Sequence, residues 1–215
     1  MIQDVVLVGA GGCMREIAWQ MQEQNKLEQI WNLVGFVDKE APTKDCRVGN
    51  IIIPYLGDDN FLLNKKEITY VAICIGEPGL RRKIAEKLMA NSYLKFPDII
   101  LGDTRICTDV RMGQGCIVSM DCRISTNVML GNFVFLNTGS KVCHDGRVGE
   151  FVTLSPDVKL AGNVTIGDDT ELGIGTHVIQ GITIGQHTVV GAGAVVVRDI
   201  GDDCTAVGVP ARVIK

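Results

Sequence analysis

The segment VGEFVTLSPDVKLAGNVTIGDDTELGIGTHVIQGITIGQHTVVGAGAVV, residues 148–196, carries an aliphatic residue at every sixth position. Extended backwards in the same frame, the series begins at Ile100 and runs through Ile106, Met112, Val118, Ile124, Leu130, Leu136 and Val142 before it enters that segment at Val148 and ends at Val196. If about half of all residues are apolar, seventeen in succession arise by chance on the order of once in 100,000. A second order lies on top of the first. Aliphatic-glycine pairs, counting methionine, fall at 112, 130, 148, 166 and 184, eighteen residues apart, with further pairs at Leu172-Gly173 and Val190-Gly191. Eighteen residues therefore make one physical turn.

Three hexads per turn mean three short strands per coil, each directing one aliphatic side chain into a triangular prism, with a glycine or small residue where the chain bends. Four residues after the aliphatic position a second inward site is small or β-branched: Cys116, Cys122, Val128, Val134, Val152, Val158, Val164, Thr170 and Thr176. A helix needs apolar spacing near 3.6, and a hairpin sheet needs strict alternation with turn dipeptides, so neither fits. The spacing predicts a parallel β-helix of five to six coils.

Before Ile100 the period is absent and β-rich stretches alternate with helix-rich ones, which predicts a separate Rossmann-like α/β domain over 1–95 and a β-helix domain over 96–215. DVVLVGAGG (4–12) reads as a buried strand running into a glycine loop, REIAWQMQEQN (15–25) as a helix, and LVGFVD (33–38) as a second strand. TYVAICIG (69–76) and LRRKIAEKLMAN (80–91) repeat the strand-helix pattern. A glycine loop between strand and helix lets backbone N–H groups approach an anion at a helix N-terminus, so a nucleotide phosphate is the natural ligand. The dinucleotide fingerprint needs a third glycine where this chain has Met14, which argues against NAD, while Asp38 ends the second strand where such folds set an acid against a ribose.

The 215 residues are 46% hydrophobic with a formal net charge of −4 and no long basic run, which points away from nucleic acid and from anionic membrane surfaces. No apolar stretch approaches a membrane span, and the start MIQDVVLVGAGG has neither a basic leader region nor a cleavage site, so a cytoplasmic protein is expected. Eight cysteines without a C-x-x-C pair argue against a zinc knuckle and read as reduced, mostly buried small apolar residues.

With these features in place, the chain resembles the sugar acyltransferases related to bacterial sialic acid O-acetyltransferases and nucleotide-aminosugar N-acetyltransferases. The marks are GAGGCMREIA (9–18), VCHDGRVGEFVTLSPDVKLAGNVTIG (142–167) and GAGAVVVRDIGDDCTAVGVPARVIK (191–215), in that order. The resemblance implies a left-handed β-helix, acetyl-CoA as co-substrate without a metal, a nucleotide-linked aminosugar or sugar hydroxyl as acceptor, and a homotrimer with active sites between subunits. It makes His144 the general base and Asp145 the acid that holds the imidazole. An imidazole with an ordinary pKa near 6.5 suits proton abstraction at neutral pH, and an adjacent carboxylate fixes its tautomer. Two residues past the inward Val142, His144 falls at a corner where it faces outward.

The same resemblance assigns acetyl-CoA contacts to Gly162, Ile174, Ala192 and Arg212, and to Thr153, which stands where several relatives carry a histidine. Acceptor contacts map to Gly11, Gly12 and Cys13, with Asp38, Lys39 and Gly76 behind them; relatives that acetylate UDP-aminosugars often carry histidine at the place of Cys13. Two rival readings differ in class. A zinc hydratase on the same helix needs three gathered histidines, yet His144, His177 and His187 occupy three different phases of the turn. A non-catalytic nucleotide-sugar-binding scaffold has no use for a histidine and an aspartate in corner phase.

Overall fold

The computed structural model describes residues 2–43 and 46–215. They divide into two compact units, one reaching to Gly76 and including Leu80–Pro97, the other comprising Glu77–Gly79 and Asp98–Lys215.

The first unit is a five-stranded parallel sheet. Its strands are β1 (Gln3–Val8), β2 (Trp31–Val37), β5 (Tyr55–Gly57), β6 (Thr69–Ile73) and β7 (Leu94–Lys95), in the order β5-β2-β1-β6-β7. Counting only these five, the order is 3-2-1-4-5, the arrangement of a Rossmann half, so the chain reverses direction across the sheet between β1 and β6. Helix α1 (Gly12–Leu27) follows β1, a small antiparallel hairpin of β3 (Cys46–Val48) and β4 (Ile51–Ile53) precedes β5, and α2 (Asp59–Leu63) and α3 (Pro78–Met89) complete the unit. β1 reads as a continuous apolar run because a parallel sheet is covered on both faces: Val5, Val6, Leu7 and Val8 are all buried. Met14, Ile17, Ala18 and Met21 of α1 supply the matching apolar stripe. The strands and helices read from the sequence are present, and the hairpin, β5, α2 and β7 are additional elements too short to show a period.

The second unit is the parallel β-helix that the hexads predict. Two-residue strands stack eighteen residues apart, as in Ile117↔Phe135, Arg123↔Lys141 and Met129↔Arg147, on three faces of five, six and eight strands. The eight-stranded face includes two closing strands, Thr205–Val207 and Arg212–Val213, which pair antiparallel. All nine second inward positions named above are buried, as are the aliphatic ones from Val118 onward. The first coil differs: Ile100 is 39% exposed because an end coil has a neighbour on one side only.

One detail of the coil departs from the sequence reading. The chain bends at the third residue after each aliphatic position, where every sixth residue from Gly115 to Gly193 has φ between 51° and 77°. Aspartate, asparagine and glycine dominate these corners because they tolerate the left-handed region. Phe133, Phe151 and His187 are the exceptions, and the two buried phenylalanine rings stack 5.1 Å apart. The glycine that directly follows an aliphatic residue at 112, 130, 148, 166, 172, 184 and 190 answers another need. A Cβ on Gly131 would lie 2.6 Å from the Glu150 nitrogen and 2.7 Å from the Gly149 carbonyl carbon, one coil further on.

Gly131→Ala should therefore push adjacent coils apart and cost about 1–3 kcal/mol, the usual penalty of overpacking. Thermal and urea denaturation of the variant beside the parent protein measure it; an unchanged midpoint would show that the coils have slack.

Candidate active site

On the six-stranded face of the β-helix the strand Lys141–Val142 ends in the turn Cys143-His144-Asp145-Gly146. Val142 is buried, and the turn throws His144 outward with its side chain 51% exposed. Asp145 occupies the left-handed corner with φ 62°. Its Oδ2 lies 2.8 Å from His144 Nδ1, and its Oδ1 accepts a 2.7 Å hydrogen bond from Asn127 Nδ2. These two bonds, that from His144 first, hold the Asp145 carboxyl below the usual carboxylate range. With Nδ1 engaged by the carboxylate, Nε2 is the ring nitrogen left free of it, an arrangement that suits proton abstraction.

Asn127 and Gly162 sit one coil to either side of the turn, eighteen residues before Asp145 and eighteen after His144. A Cβ at Gly162 would overlap the His144 ring, so the buried glycine is the seat on which the imidazole lies. The backbone is tied there as well: Asn163 N–H donates to the His144 carbonyl at 2.8 Å. Asn127 escaped the sequence reading, although the eighteen-residue spacing points to it.

The other residues expected around the cofactor are not gathered on this corner. Ile174 and Ala192 form a separate exposed column on another edge, joined by the 2.8 Å bond from Gly193 N–H to the Ile174 carbonyl. Thr153 lies on the eight-stranded face at 3% exposure, half a coil from His144, and its N–H donates to the Thr170 carbonyl. Arg212 is exposed in the last strand, its Nη1 donating to the Ala211 carbonyl at 2.8 Å.

In the α/β unit, Gly11 caps α1 through its backbone alone, with no side-chain cap. Gly9 makes the tight turn at φ 110°, where a Cβ would stand 3.3 Å from the Cys74 carbonyl oxygen. Gly11, Gly12 and Gly76 are different: none has positive φ, and an added Cβ would meet at most the tip of Arg15 at 3.9 Å. Neither backbone nor packing requires glycine at these positions. Cys13 opens the first turn of α1, and burial pushes its thiol up to about 11. Asp38 and Lys39 lie at the carboxyl end of β2, the former donating its N–H to the Gly57 carbonyl at 3.1 Å. Between these loops a cleft of about 390 Å³ is lined by Ala10, Arg15, Phe36, Pro42 and Arg47. A larger cavity of about 580 Å³ opens beside Gln3 and Thr69 at the amino ends of the strands, the side of such sheets that does not bind ligands.

The eight cysteines are free thiols; Cys46, Cys74, Cys116 and Cys122 are buried, Cys13 and Cys204 half-buried, and Cys107 and Cys143 exposed, so burial accounts for half of them. His177 and His187 are exposed, and the described residues contain no cluster of histidine, cysteine and carboxylate groups fit for a metal. No helix among them is long and apolar enough to cross a membrane.

A glycine-loop α/β unit joined to hexapeptide coils with a histidine-aspartate corner defines an acyltransferase of the hexapeptide-repeat class. Residues 4–88 match the PglD N-terminal domain and residues 163–198 the bacterial transferase hexapeptide (six repeats). A mutant of GDP-perosamine N-acetyltransferase from Caulobacter crescentus, in complex with CoA and GDP-perosamine, is 32% identical with a TM-score of 0.87, covering 100% of this chain and 98% of that one. The acetyltransferase domain of PglB from Neisseria gonorrhoeae FA1090, in complex with acetyl coenzyme A, is 28% identical with a TM-score of 0.86 and full coverage of both chains. WeeI from Acinetobacter baumannii AYE is 26% identical with a TM-score of 0.85, covering 99% of this chain and 100% of that one. No curated protein sequence matches. The chain belongs to the sugar acyltransferase family that includes the perosamine N-acetyltransferase, and it is an acetyl-CoA-dependent acyltransferase.

The carboxyl of Asp145 should titrate below the ordinary carboxylate range. His144→Ala should raise it more than Asn127→Ala does, since the imidazole bond is the larger cause. Carbon-detected NMR titration of the Asp145 side chain checks both the position and the ranking. Gly162→Ala should unseat the imidazole and lower turnover at least tenfold without loss of fold, read by CoA release and by circular dichroism.

Proposed function

We propose that this chain transfers the acetyl group of acetyl-CoA to the amino group of a nucleotide-linked aminosugar, with His144 as general base. The observation that carries the reading is the outward imidazole seated on Gly162 with its Nδ1 held by Asp145. Acyl transfer from a thioester requires the attacking amine to lose a proton as it adds to the carbonyl. Nε2 of His144 receives that proton, the C–N bond forms, the C–S bond breaks, and the imidazolium returns the proton to the departing CoA thiolate. No covalent enzyme intermediate is needed. Juxtaposing two bound substrates contributes roughly 7–11 kcal/mol, and a general base adds about 10²- to 10⁴-fold, so few side chains suffice.

The acceptor's nucleotide is read by the loops at Gly11, Gly12, Cys13, Asp38, Lys39 and Gly76. The three glycines that neither packing nor backbone requires support this assignment. CoA lies along Gly162, Ile174 and Ala192 toward Arg212. His144 and Gly162 stand on one edge of the prism and Ile174 and Ala192 on another, so a single groove lined by both needs two chains, and a homotrimer with cytoplasmic active sites between its subunits meets that requirement. The 32%-identical relative, a histidine-to-alanine mutant holding both CoA and GDP-perosamine, supports an aminosugar nucleotide over a free sugar.

A CoA-release assay against UDP-, dTDP-, GDP- and CMP-linked aminosugars, beside free sialic acid and serine, tests the acceptor. Turnover of one aminosugar nucleotide is the expected result; turnover of hydroxyl acceptors alone would replace N- by O-acetylation, and silence across the panel would overturn the enzymatic reading. His144→Ala should lose about 10²- to 10⁴-fold in turnover with acetyl-CoA affinity nearly unchanged, and Asp145→Asn should lose less. Equal loss of acetyl-CoA binding in His144→Ala would refute the general-base role.

A further inference from the structure

Arg81 lies in the first turn of α3 and is 2% exposed. Its Nη1 reaches back to the end of the preceding strand segment and donates to two carbonyls, Ile75 at 2.7 Å and Gly76 at 2.9 Å. Burying a guanidinium is costly, and the cost is repaid only where the geometry it enforces matters.

The location shows what is enforced. β1 and β6 flank the point where the strand order reverses, and ligands of such sheets enter the crevice outside the carboxyl ends of those strands. The glycine loop leaving β1 forms one wall of that crevice and Cys74–Gly76, leaving β6, forms the other. The walls touch: Cys74 N–H donates to the Val8 carbonyl at 3.0 Å, and Gly9 packs so closely on the Cys74 carbonyl that a Cβ would meet it at 3.3 Å. Arg81 is thus the clamp on the second wall, and its charge is near enough to act on the Cys13 thiol across the crevice.

We infer that Arg81 is a positioning residue for the acceptor's nucleotide, fixing the Ile75-Gly76 backbone beside the glycine loop that follows β1. The inference rests on the nucleotide site proposed above. Arg81 does not touch the ligand; it acts through the two carbonyls it holds.

The test measures KM for acceptor and for acetyl-CoA separately in Arg81→Met and Arg81→Lys, with melting temperatures alongside. Arg81→Met should raise the acceptor KM tenfold or more, and Arg81→Lys, which keeps a charged donor on a shorter stem, only about threefold. The acetyl-CoA KM should stay within twofold in both. An acceptor KM that stays put in both variants, or an acetyl-CoA KM rising in step with it, overturns the inference while leaving the nucleotide site standing. Should Arg81→Met not fold, the threefold shift in Arg81→Lys decides alone. If the parent protein turns over no member of the acceptor panel, calorimetric titration with GDP, UDP, dTDP and CMP replaces KM. Binding weakened by the same factors upholds the inference without the acetylation reading, and no binding to the parent protein overturns both.

Discussion

Everything in the β-helix depends on one constraint: consecutive coils are joined backbone to backbone, so residue i lies one strand spacing, about 4.8 Å, from residue i+18. At that distance some positions have no room for a Cβ, which explains the glycines after the aliphatic residues. The same closeness sets His144 on Gly162 and brings Asn127 to Asp145. Packing, turn chemistry and the candidate active site are thus three outcomes of a single repeat length. Because each coil touches only its neighbours, the corner that carries His144 is held locally, by the coil before and the coil after.

The corner also separates two reasons for an aspartate. Left-handed corners accept aspartate or asparagine anywhere along the helix, as Asp121, Asp157, Asn163 and Asp169 show, so Asp145 by itself is ordinary turn chemistry. What distinguishes it is the imidazole one residue earlier and the amide one coil earlier, both spent on its carboxylate. The fold offers such a carboxylate at many corners, and the sequence exploits it where the preceding residue is a histidine.

Much of this was legible before the structure. The hexads announced the β-helix because two of every six positions face a narrow dry prism, a demand that composition cannot meet by accident. The Rossmann-like unit was legible from its buried strands and glycine loop, and His144 from its phase beside Val142. The rest was hidden for identifiable reasons. Which glycines mark the bends was not legible, because close approach between coils and positive φ both select glycine, and only the dihedral angles tell them apart. The burial of Thr153, expected near the cofactor from the family resemblance, was not legible, because a sequence gives no measure of covering by neighbouring side chains. The burial of Arg81 was not legible because the carbonyls it serves lie five and six residues back, beyond the helix.

The thiol of Cys13 has a consequence for how the protein meets changes in acidity. Where related chains often present an imidazole, this loop carries a group that stays neutral until pH approaches about 11. Around neutral pH that position therefore contributes no proton equilibrium of its own to the glycine loop. A chain with histidine there would couple affinity at this loop to pH near neutrality, whereas the thiol does not.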